Sequence, residues 1–264
     1  MSLNYCTFCR VLRLGLIWST MGVAIAATAV GAQEAPKASD DALARSVVDK
    51  ADHVRFPAEG FEVAVAVTST SAGQDPESRK FKVLSKGNEN TIVMVTEPAS
   101  ERGQIMLMKG RDLWIFLPTV SQPVRLSLSQ RLTGQVANGD LARANFAGDY
   151  VPTILRTETM DGAEAYVLEL KAVDRGVTYS KVLYWVRKSN SWPLKAEFYS
   201  VSERLLKTAH YRKFEQLAGR VRPTQIVIED ALRKGDASTL DYSAMKLRDL
   251  PDRVFTKDYL KRLE

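Results

Sequence analysis

The sequence has very few of the residues that metal and redox sites require. Its 264 residues include two cysteines and two histidines. Cys6 and Cys9 are too few for a disulfide framework or a four-ligand zinc site, and His53 and His210 are too few for a histidine-rich metal centre. The sequence also lacks a P-loop, a dinucleotide-binding glycine pattern, a Gly-x-Ser-x-Gly elbow and a His-Glu-x-x-His motif. We therefore predict no cofactor, no metal site and no enzymatic activity.

Long hydrophobic runs are scarce as well, because one such run exists and it lies near the N-terminus. Residues 14–30 are uncharged and mostly apolar, Arg10 and Arg13 precede them, and the small residues Val30-Gly31-Ala32 follow. This order is typical of a secretory signal peptide. We predict a signal peptide over residues 1–32 with cleavage near Ala32. A single transmembrane anchor is the alternative interpretation.

The rest of the chain has the composition of an ordinary globular protein. The sequence is 45% hydrophobic and 26% charged, with a net charge of +6. This balance excludes a disordered chain, and the interspersed charges do not form a stripe that would bind nucleic acid. No linker divides residues 33–264, so we predict a single domain. Cleavage near Ala32 would leave that domain without cysteine.

The hydrophobic pattern predicts one helix followed by many strands. Leu43, Val47, Ala51 and Val54 recur at helical spacing over residues 41–55, and Pro57 ends the helix. Alternating patterns then follow, separated by short turns rather than helices, which is typical of an antiparallel meander. The predicted strands are 61–68, 79–86, 90–97, 103–109, 111–117, 122–127, 153–160, 164–172, 179–188, 194–201, 205–215, 220–229 and 237–247.

Three features interrupt or end this meander. Residues 128–150 form a long excursion, for which short helical turns and a lid-like role are expected. Pro223 lies inside a predicted strand, which favours an edge strand or a bulge there and weakly favours an open sheet. Pro251, Phe255, Tyr259 and Leu263 predict a short amphipathic helix at the C-terminus.

Several strands are apolar on both faces, so each face needs a cover. Ile105 and Leu107 alternate with Met106 and Met108, and similar patterns occur in strands 111–117 and 179–188. One hypothesis is a packed core with helices laid on the sheet; the other is an incompletely closed barrel that binds an apolar ligand. For the second hypothesis the candidate ligand-binding residues are Met94, Met106, Met108, Trp114, Phe116, Leu168, Trp185 and Phe198.

Charged residues in the excursion also have two interpretations. Asp140, Arg143 and Asp149 are either ion-pair partners that hold a lid or members of a solvated polar loop. His53 and His210 lack a positioned partner in the sequence, so we interpret them as surface or structural histidines rather than general bases.

Three segments together resemble the outer-membrane lipoprotein-sorting proteins of the LolA-like class. They are Asp112-Leu113-Trp114-Ile115-Phe116-Leu117-Pro118 with the following Val124-Arg125-Leu126 and Ser129-Gln130-Arg131, the excursion from Gly139 to Tyr150, and the ending from Leu250 to Leu260. The resemblance runs from about Phe61 to Glu264, with the N-terminal helix in addition. It implies a mainly β fold: a curved antiparallel sheet that forms an unclosed β-barrel, with helices as a lid over an apolar cavity. It also implies a lid-locking arginine, for which Arg125 and Arg131 are candidates.

The resemblance implies a monomeric periplasmic carrier that binds acyl chains of lipoproteins or other lipids and transfers them toward the outer membrane. The chain looks more like the longer branch that is often linked to membrane exporters of the RND type. Two alternatives stay open. One is a periplasmic adaptor or sensor that docks such an exporter without transporting lipid, and the other is an enzyme acting on a lipid or cell-envelope substrate.

Overall fold

A long helix opens the part of the chain that the structure describes. The structure is a computed structural model that describes residues 35–143 and 145–260, so the predicted signal peptide at residues 1–32 lies outside the described residues. Helix α1 spans Ala35–Arg55 and therefore begins earlier than the predicted Asp41. Its buried side chains include Ala44, Val47, Val48 and Ala51, whereas Leu43 is exposed. The buried face of α1 therefore starts at Ala44 rather than at the predicted Leu43. None of the described helices is long and apolar enough to cross a membrane.

The strands that follow α1 match the predicted meander closely. The strands are β1 (Phe61–Thr70), β2 (Glu77–Lys86), β3 (Asn90–Glu97), β4 (Ile105–Lys109), β5 (Asp112–Phe116), β6 (Val124–Leu126), β7 (Arg131–Thr133), β8 (Val136–Ala137), β9 (Tyr150–Met160), β10 (Ala163–Ala172), β11 (Lys181–Arg187), β12 (Pro193–Tyr199), β13 (Leu205–Leu217), β14 (Arg220–Asp230) and β15 (Ala237–Leu247).

Thirteen of these strands form one antiparallel sheet that does not close. Their order is β6-β5-β4-β3-β2-β1-β15-β14-β13-β12-β11-β10-β9, so β6 and β9 are its two edges. Strands β7 and β8 form a separate hairpin. Strand β1 pairs with β15, which joins the first half of the meander to the second. This arrangement confirms the predicted mainly β fold with an unclosed antiparallel sheet.

The inner face of the sheet, defined as the face that contacts α1, carries the main core. Its buried side chains come from both halves of the strand order and form one cluster with α1; examples are Val93, Met106, Tyr184 and Ile228. Because strands far apart in the order share this cluster, the sheet curves around the helix.

The end of α1 lies where two central strands separate. Strand β14 pairs with β15 from Gln225 onward, so Pro223 lies in the part of β14 that pairs with β13. A proline lacks an amide donor and is tolerated where one side of a strand needs none. Strand β14 as a whole is interior to the sheet and is not an edge strand, although its residues near Pro223 have a paired neighbour on one side alone. Arg222 donates to the carbonyl oxygens of His53 and Val54 at 2.8 and 3.0 Å, which caps the C-terminus of α1.

The C-terminal residues 250–260 cover the outer face of strands β2–β5. This C-terminal cover contains a 3-10 turn, Asp252–Val254, and the short helix α4, Lys257–Leu260. Leu250, Val254, Phe255 and Leu260 are buried against outer-face side chains such as Leu107. This confirms the predicted second cover for strands 103–109 and 111–117, whereas the outer side of the third such strand, 179–188, belongs to a separate cluster with Trp185. The predicted helical position Leu263 lies outside the described residues.

Candidate functional site

The excursion forms a lid, defined here as residues 128–143 and 145–149, over the inner face of the sheet. It consists of the β7–β8 hairpin and the short helices α2 (Asn138–Ala142) and α3 (Phe146–Asp149). The predicted helical turns are confirmed, whereas the hairpin was not predicted. A two- or three-residue strand leaves too short an alternation to detect.

Asp140 of the lid is tied to the sheet by a buried ion pair. Its carboxylate accepts from the Lys207 ammonium group of β13 and, at 2.8 Å, from the Tyr179 hydroxyl. The Lys207 ammonium also donates to the Gln135 carbonyl oxygen at 2.7 Å. The Ser238 hydroxyl accepts from the Gln135 amide at 2.9 Å. These contacts connect the lid to β13, β15 and the loop before β11.

A second buried pair holds the other end of the lid. Arg143 Nη2 donates to Asp149 Oδ1 at 2.7 Å, and Arg143 Nη1 donates to the Gly110 carbonyl oxygen at 2.8 Å. Arg111, in the β4–β5 turn, donates to the same carboxylate at 3.0 Å. The side chains of Arg143 and Asp149 are 4% and 6% exposed. These residues are therefore lid ion-pair partners, and the alternative of a solvated polar loop is wrong.

Helix α1 contacts the lid through a charged pair on its buried face. Asp52 Oδ2 accepts from the Ala147 amide at 2.8 Å, and Asp52 Oδ1 accepts from Arg55 Nη1 at 3.2 Å. The Arg55 guanidinium also stacks on the Phe146 ring at 4.4 Å. Burial raises the pKa of Asp52 to about 6, although the Arg55 charge and the amide hydrogen bonds oppose the rise.

Little space remains beneath the closed lid. A cavity of about 30 Å³ lies between the lid and the sheet. Its polar lining includes Arg55, Tyr179 and Tyr211, and its apolar lining includes Phe198 and Ile226. A space of this size holds roughly two water molecules and no acyl chain. A chain-like ligand can occupy this region only after the lid or its side chains move.

Two larger openings border the lid. The strand groove, about 330 Å³, lies between strands β2–β6 and the lid. Its apolar side chains are Phe81, Val95, Met106, Ile115, Leu126 and Leu132, and its polar ones include Arg79 and Arg131. The loop depression, about 550 Å³, adjoins Ser129 of the lid and shares Thr178 and Tyr179 with the small cavity. The strand groove lies on the inner face of the first half of the sheet, whereas the larger loop depression adjoins the loop before β11.

The structure divides the eight predicted ligand-binding residues among three clusters. Four of them lie on the inner face: Met106, Met108, Leu168 and Phe198. Met106 borders the strand groove and Phe198 borders the small cavity. The other four do not join them: Met94, Trp114 and Phe116 pack with the C-terminal cover, and Trp185 lies in a third cluster with Ala165, Val167 and Leu194. The predicted set thus does not form one surface.

The two arginines that were candidates for locking the lid, Arg125 and Arg131, are both exposed. Arg125 is exposed and pairs with Asp112, and Arg131 is exposed at the strand groove. The buried cations that contact the lid are Arg55, Arg143 and Lys207. Asp52 and Arg55 were missed, although a signal existed. They lie four residues after Val48 and Ala51 and so continue the apolar stripe of α1.

The two histidines lie away from these contacts. His53 is exposed on α1, and its Nδ1 lies 2.7 Å from the Asp49 carbonyl oxygen. His210 lies on β13 with Nε2 4.0 Å from a Glu229 carboxylate oxygen, and burial lowers the pKa of the imidazole. This placement agrees with a surface histidine and a structural histidine.

The comparisons with known proteins identify the fold family. A LolA superfamily protein from Nitrosomonas europaea is 63% identical, with a TM-score of 0.79, and the match covers 82% of this chain and 98% of that one. The chain belongs to the LolA superfamily. A family model described only as an uncharacterized protein also matches residues 87–262. No functionally curated protein matches the chain.

Two more distant structures share the LolA-like fold. A DUF1329 family protein from Desulfovibrio piger is 23% identical with a TM-score of 0.73, over 84% of this chain and 99% of that one. A domain from Vibrio parahaemolyticus, named for outer membrane lipoprotein sorting, is 22% identical with a TM-score of 0.73, over 84% of this chain and all of that one. The LolA-like resemblance inferred from the sequence is thereby confirmed.

Proposed function

We propose that this chain is a periplasmic carrier that binds acyl chains of lipoproteins or other lipids and transfers them toward the outer membrane. Its signal peptide is cleaved near Ala32, residues 33–264 form its single domain, and it works as a monomer without catalysing a reaction. The strand groove carries this proposal. It presents an apolar floor, including Phe81, Met106 and Ile115, beside a lid that is held by polar contacts.

The energetics of acyl burial suit a carrier. Each buried CH₂ group contributes about 0.8 kcal/mol, so a chain of about fourteen contributes roughly 11 kcal/mol at most. Ordering the chain and opening the lid reduce this value. The small cavity of about 30 Å³ means that an acyl chain entering from the groove must displace the lid. A closed lid therefore competes with the cargo, which favours release as well as binding.

The first test identifies the natural ligand. The mature protein is purified from periplasm without detergent and extracted for lipid and lipopeptide mass spectrometry. A stoichiometric acyl ligand supports the carrier and gives its cargo class. Absence of an enriched ligand, together with failure to bind an acylated probe in vitro, contradicts it.

Variants on neighbouring positions of β5 then locate the binding surface. Ile115 lies in the strand groove, whereas Trp114 lies on the outer face with the C-terminal cover. Ile115→Trp fills the groove and is expected to weaken binding of an acylated probe at least about tenfold, while the matched Ile115→Leu leaves it near the native value. Trp114→Ala is expected to leave the affinity of the folded protein unchanged. The reverse result would place the cargo on the outer face.

A second candidate function follows from the packing beneath the lid. The small cavity shows an inner face filled mainly by its own side chains, as expected for an adaptor that docks an RND-type inner-membrane exporter without lipid. This candidate predicts co-purification with a membrane exporter and no acyl ligand. The carrier function instead predicts a bound acyl ligand, so the same purification separates the two functions.

A further inference from the structure

Three neighbouring loops in the second half of the strand order expose large apolar side chains. Val173 follows β10, Val201 lies between β12 and β13, and Leu232 lies between β14 and β15. These residues are 46%, 88% and 58% exposed. Single exposed apolar residues are common on protein surfaces, whereas a group of them rimmed by polar residues marks an interaction surface. We call this surface the loop end and define it as residues 173–180, 200–204 and 231–236.

The loop depression joins the three loops. Its lining includes Val177 and Tyr179 from the first loop and Val201 from the second. The third loop adjoins the depression because the Ala231 amide donates at 3.0 Å to the carbonyl oxygen of Leu206, which is also a lining residue. An opening of about 550 Å³ with apolar walls therefore lies between exposed apolar loop tips.

Basic side chains without acidic partners surround these tips. Arg175, Arg204 and Lys234 are exposed, and no carboxylate in the described part of the chain pairs with any of them. The acidic side chains of the loop end are paired with other cations; the pairs are Asp174 with Arg111, Glu203 with Lys181 and Asp236 with Arg233. The charge that the loop end offers to a partner is therefore positive.

We propose that the loop end docks on the surface of a bilayer that contains anionic lipids. Val201 and Leu232 enter the boundary between headgroups and acyl chains, and Arg175, Arg204 and Lys234 contact lipid phosphates. A bilayer fits this chemistry better than a protein does, because separate apolar tips need no matching pockets in a lipid surface. A stable protein interface instead has a continuous, closely packed apolar centre.

This inference rests on the proposed carrier function for its purpose, although docking is measured without any cargo. The loop depression shares Thr178 and Tyr179 with the small cavity beneath the lid. An acyl chain that leaves the docked bilayer therefore enters the depression and reaches the edge of the lid. The inference thus assigns the side of the molecule on which cargo is exchanged with a membrane.

The first experiment measures binding of the mature protein to vesicles by co-flotation. Vesicles of equal parts phosphatidylcholine and phosphatidylglycerol are expected to bind at least about tenfold more tightly than phosphatidylcholine alone, since each basic side chain near an anionic surface strengthens binding roughly fivefold. The double variant Val201→Gln/Leu232→Gln removes two apolar tips and is expected to weaken this binding at least about tenfold. Leu247→Gln is the matched control and should bind like the native protein, because Leu247 is 54% exposed at the far end of β15.

The second experiment determines which end of the molecule contacts the bilayer. Residues 33–264 contain no cysteine, so Val201→Cys and the control Leu247→Cys each accept one environment-sensitive fluorophore. Addition of the phosphatidylglycerol vesicles should shift the emission of the label at position 201 to shorter wavelength, and brominated lipid should quench it. The label at position 247 should show neither change.

The outcomes separate this inference from the carrier function. Native affinity in the double variant, or an equal response of the two labels, would overturn the docking surface. Absence of vesicle binding would overturn it as well and would leave a protein partner as the occupant of the loop end. In each of these cases the carrier function stands if the same protein binds an acylated probe without vesicles. Vesicle docking by a protein that binds no acylated probe would support the docking surface and contradict the carrier.

Discussion

The sheet has two covers, and different contacts hold them. The lid on the inner face is attached by buried apolar side chains such as Val136 and Phe146, and in addition by polar groups, among them Asp140 with Lys207 and Asp149 with Arg111. The C-terminal cover on the outer face is attached by apolar side chains, of which Phe255 and Leu260 are each 1% exposed. The two covers thus differ in the buried charged groups that the lid adds to its apolar contacts.

This difference has a consequence for motion. When an apolar cover lifts, hydration of its contact surface costs about 25 cal/mol per Å², and no new hydrogen bond with water compensates for this cost. When a polar cover lifts, water replaces each hydrogen bond, so the net change is about 0.5–1.5 kcal/mol per bond. Buried ion pairs likewise contribute little net stability while both partners are present. The polar share of its contacts therefore makes the lid easier to open reversibly than the C-terminal cover.

The largest expected effect comes from truncating the apolar cover. Phe255→Ala removes a fully buried ring and is expected to lower the free energy of unfolding by about 4 kcal/mol. Urea unfolding measures this change, and Phe255→Leu serves as the milder control. The affinity for an acylated probe should stay unchanged in the folded fraction. A loss below about 1 kcal/mol would show that the cover is loosely attached, contrary to the comparison.

Breaking one lid pair should produce a somewhat smaller loss that is concentrated in the lid. Lys207→Met leaves the Asp140 carboxylate buried without its cation, which is expected to cost about 3 kcal/mol. Hydrogen exchange should show faster exchange of the lid amides, such as Gln135, than of amides in the C-terminal cover. The double variant Lys207→Met/Asp140→Asn removes the uncompensated charge and should recover part of the stability. Uniform acceleration across the whole chain would contradict a locally opening lid.

Acid pH provides a third way to compare the covers. The pKa of Asp52 is raised to about 6 in the folded protein, from an ordinary value of 3.8. Between pH about 4 and 6 the folded chain keeps a proton that the unfolded chain has released, so the Asp52 contribution to stability falls as pH rises through this window. The change is at most roughly 3 kcal/mol, at about 1.4 kcal/mol per pKa unit. Asp252 in the C-terminal cover has the opposite pH dependence. Because Lys86 lowers its pKa, its contribution to stability is lost as pH falls.

The Asp52 effect is measured as the difference between the native chain and Asp52→Asn in urea unfolding at several pH values. Subtraction removes most of the contribution of other carboxylates that titrate in the same window. Arg55, which opposes the rise in the pKa of Asp52, and Asp49, which adds to it, are retained in both proteins. A difference that does not change between pH 4 and 6 would contradict the raised pKa.

Local patterns were sufficient to predict most strands but not their faces. Strands β3 and β15 match their predicted bounds, since alternation and turn residues are local signals. Alternation shows that Trp114 and Ile115 face opposite sides, but it does not identify the inner side. That depends on the C-terminal cover, which is more than a hundred residues away in the sequence. For this reason the predicted ligand-binding set combined residues from both faces.

The polar contacts of the site were harder to predict than its apolar residues. Asp140 and Asp149 were recognised as possible lid partners, yet their counterparts Lys207 and Arg111 are distant in sequence. Charged residues on an apolar helical stripe, such as Asp52 and Arg55, were a usable local signal. Their contacts with the lid at Phe146 and Ala147 depend on three-dimensional packing, which no spacing rule reveals.

The smallest expected effect tests how closely the lid hairpin approaches the sheet. A Cβ atom at Gly134 would lie 2.0 Å from Ser69 Oγ and 2.3 Å from Ser238 Oγ, and φ is +50°. Gly219 has φ of +78° and no atom within 4 Å of such a Cβ. Both alanine variants carry backbone strain of about 1 kcal/mol, so the lid variant should lose about 1 kcal/mol more than Gly219→Ala. That excess should appear as faster hydrogen exchange in the lid, because the lost contact with Ser238 is polar and local. Equal losses of unfolding free energy for the two variants would mean that the hairpin is already detached from the sheet in solution. The lid would then be open at equilibrium.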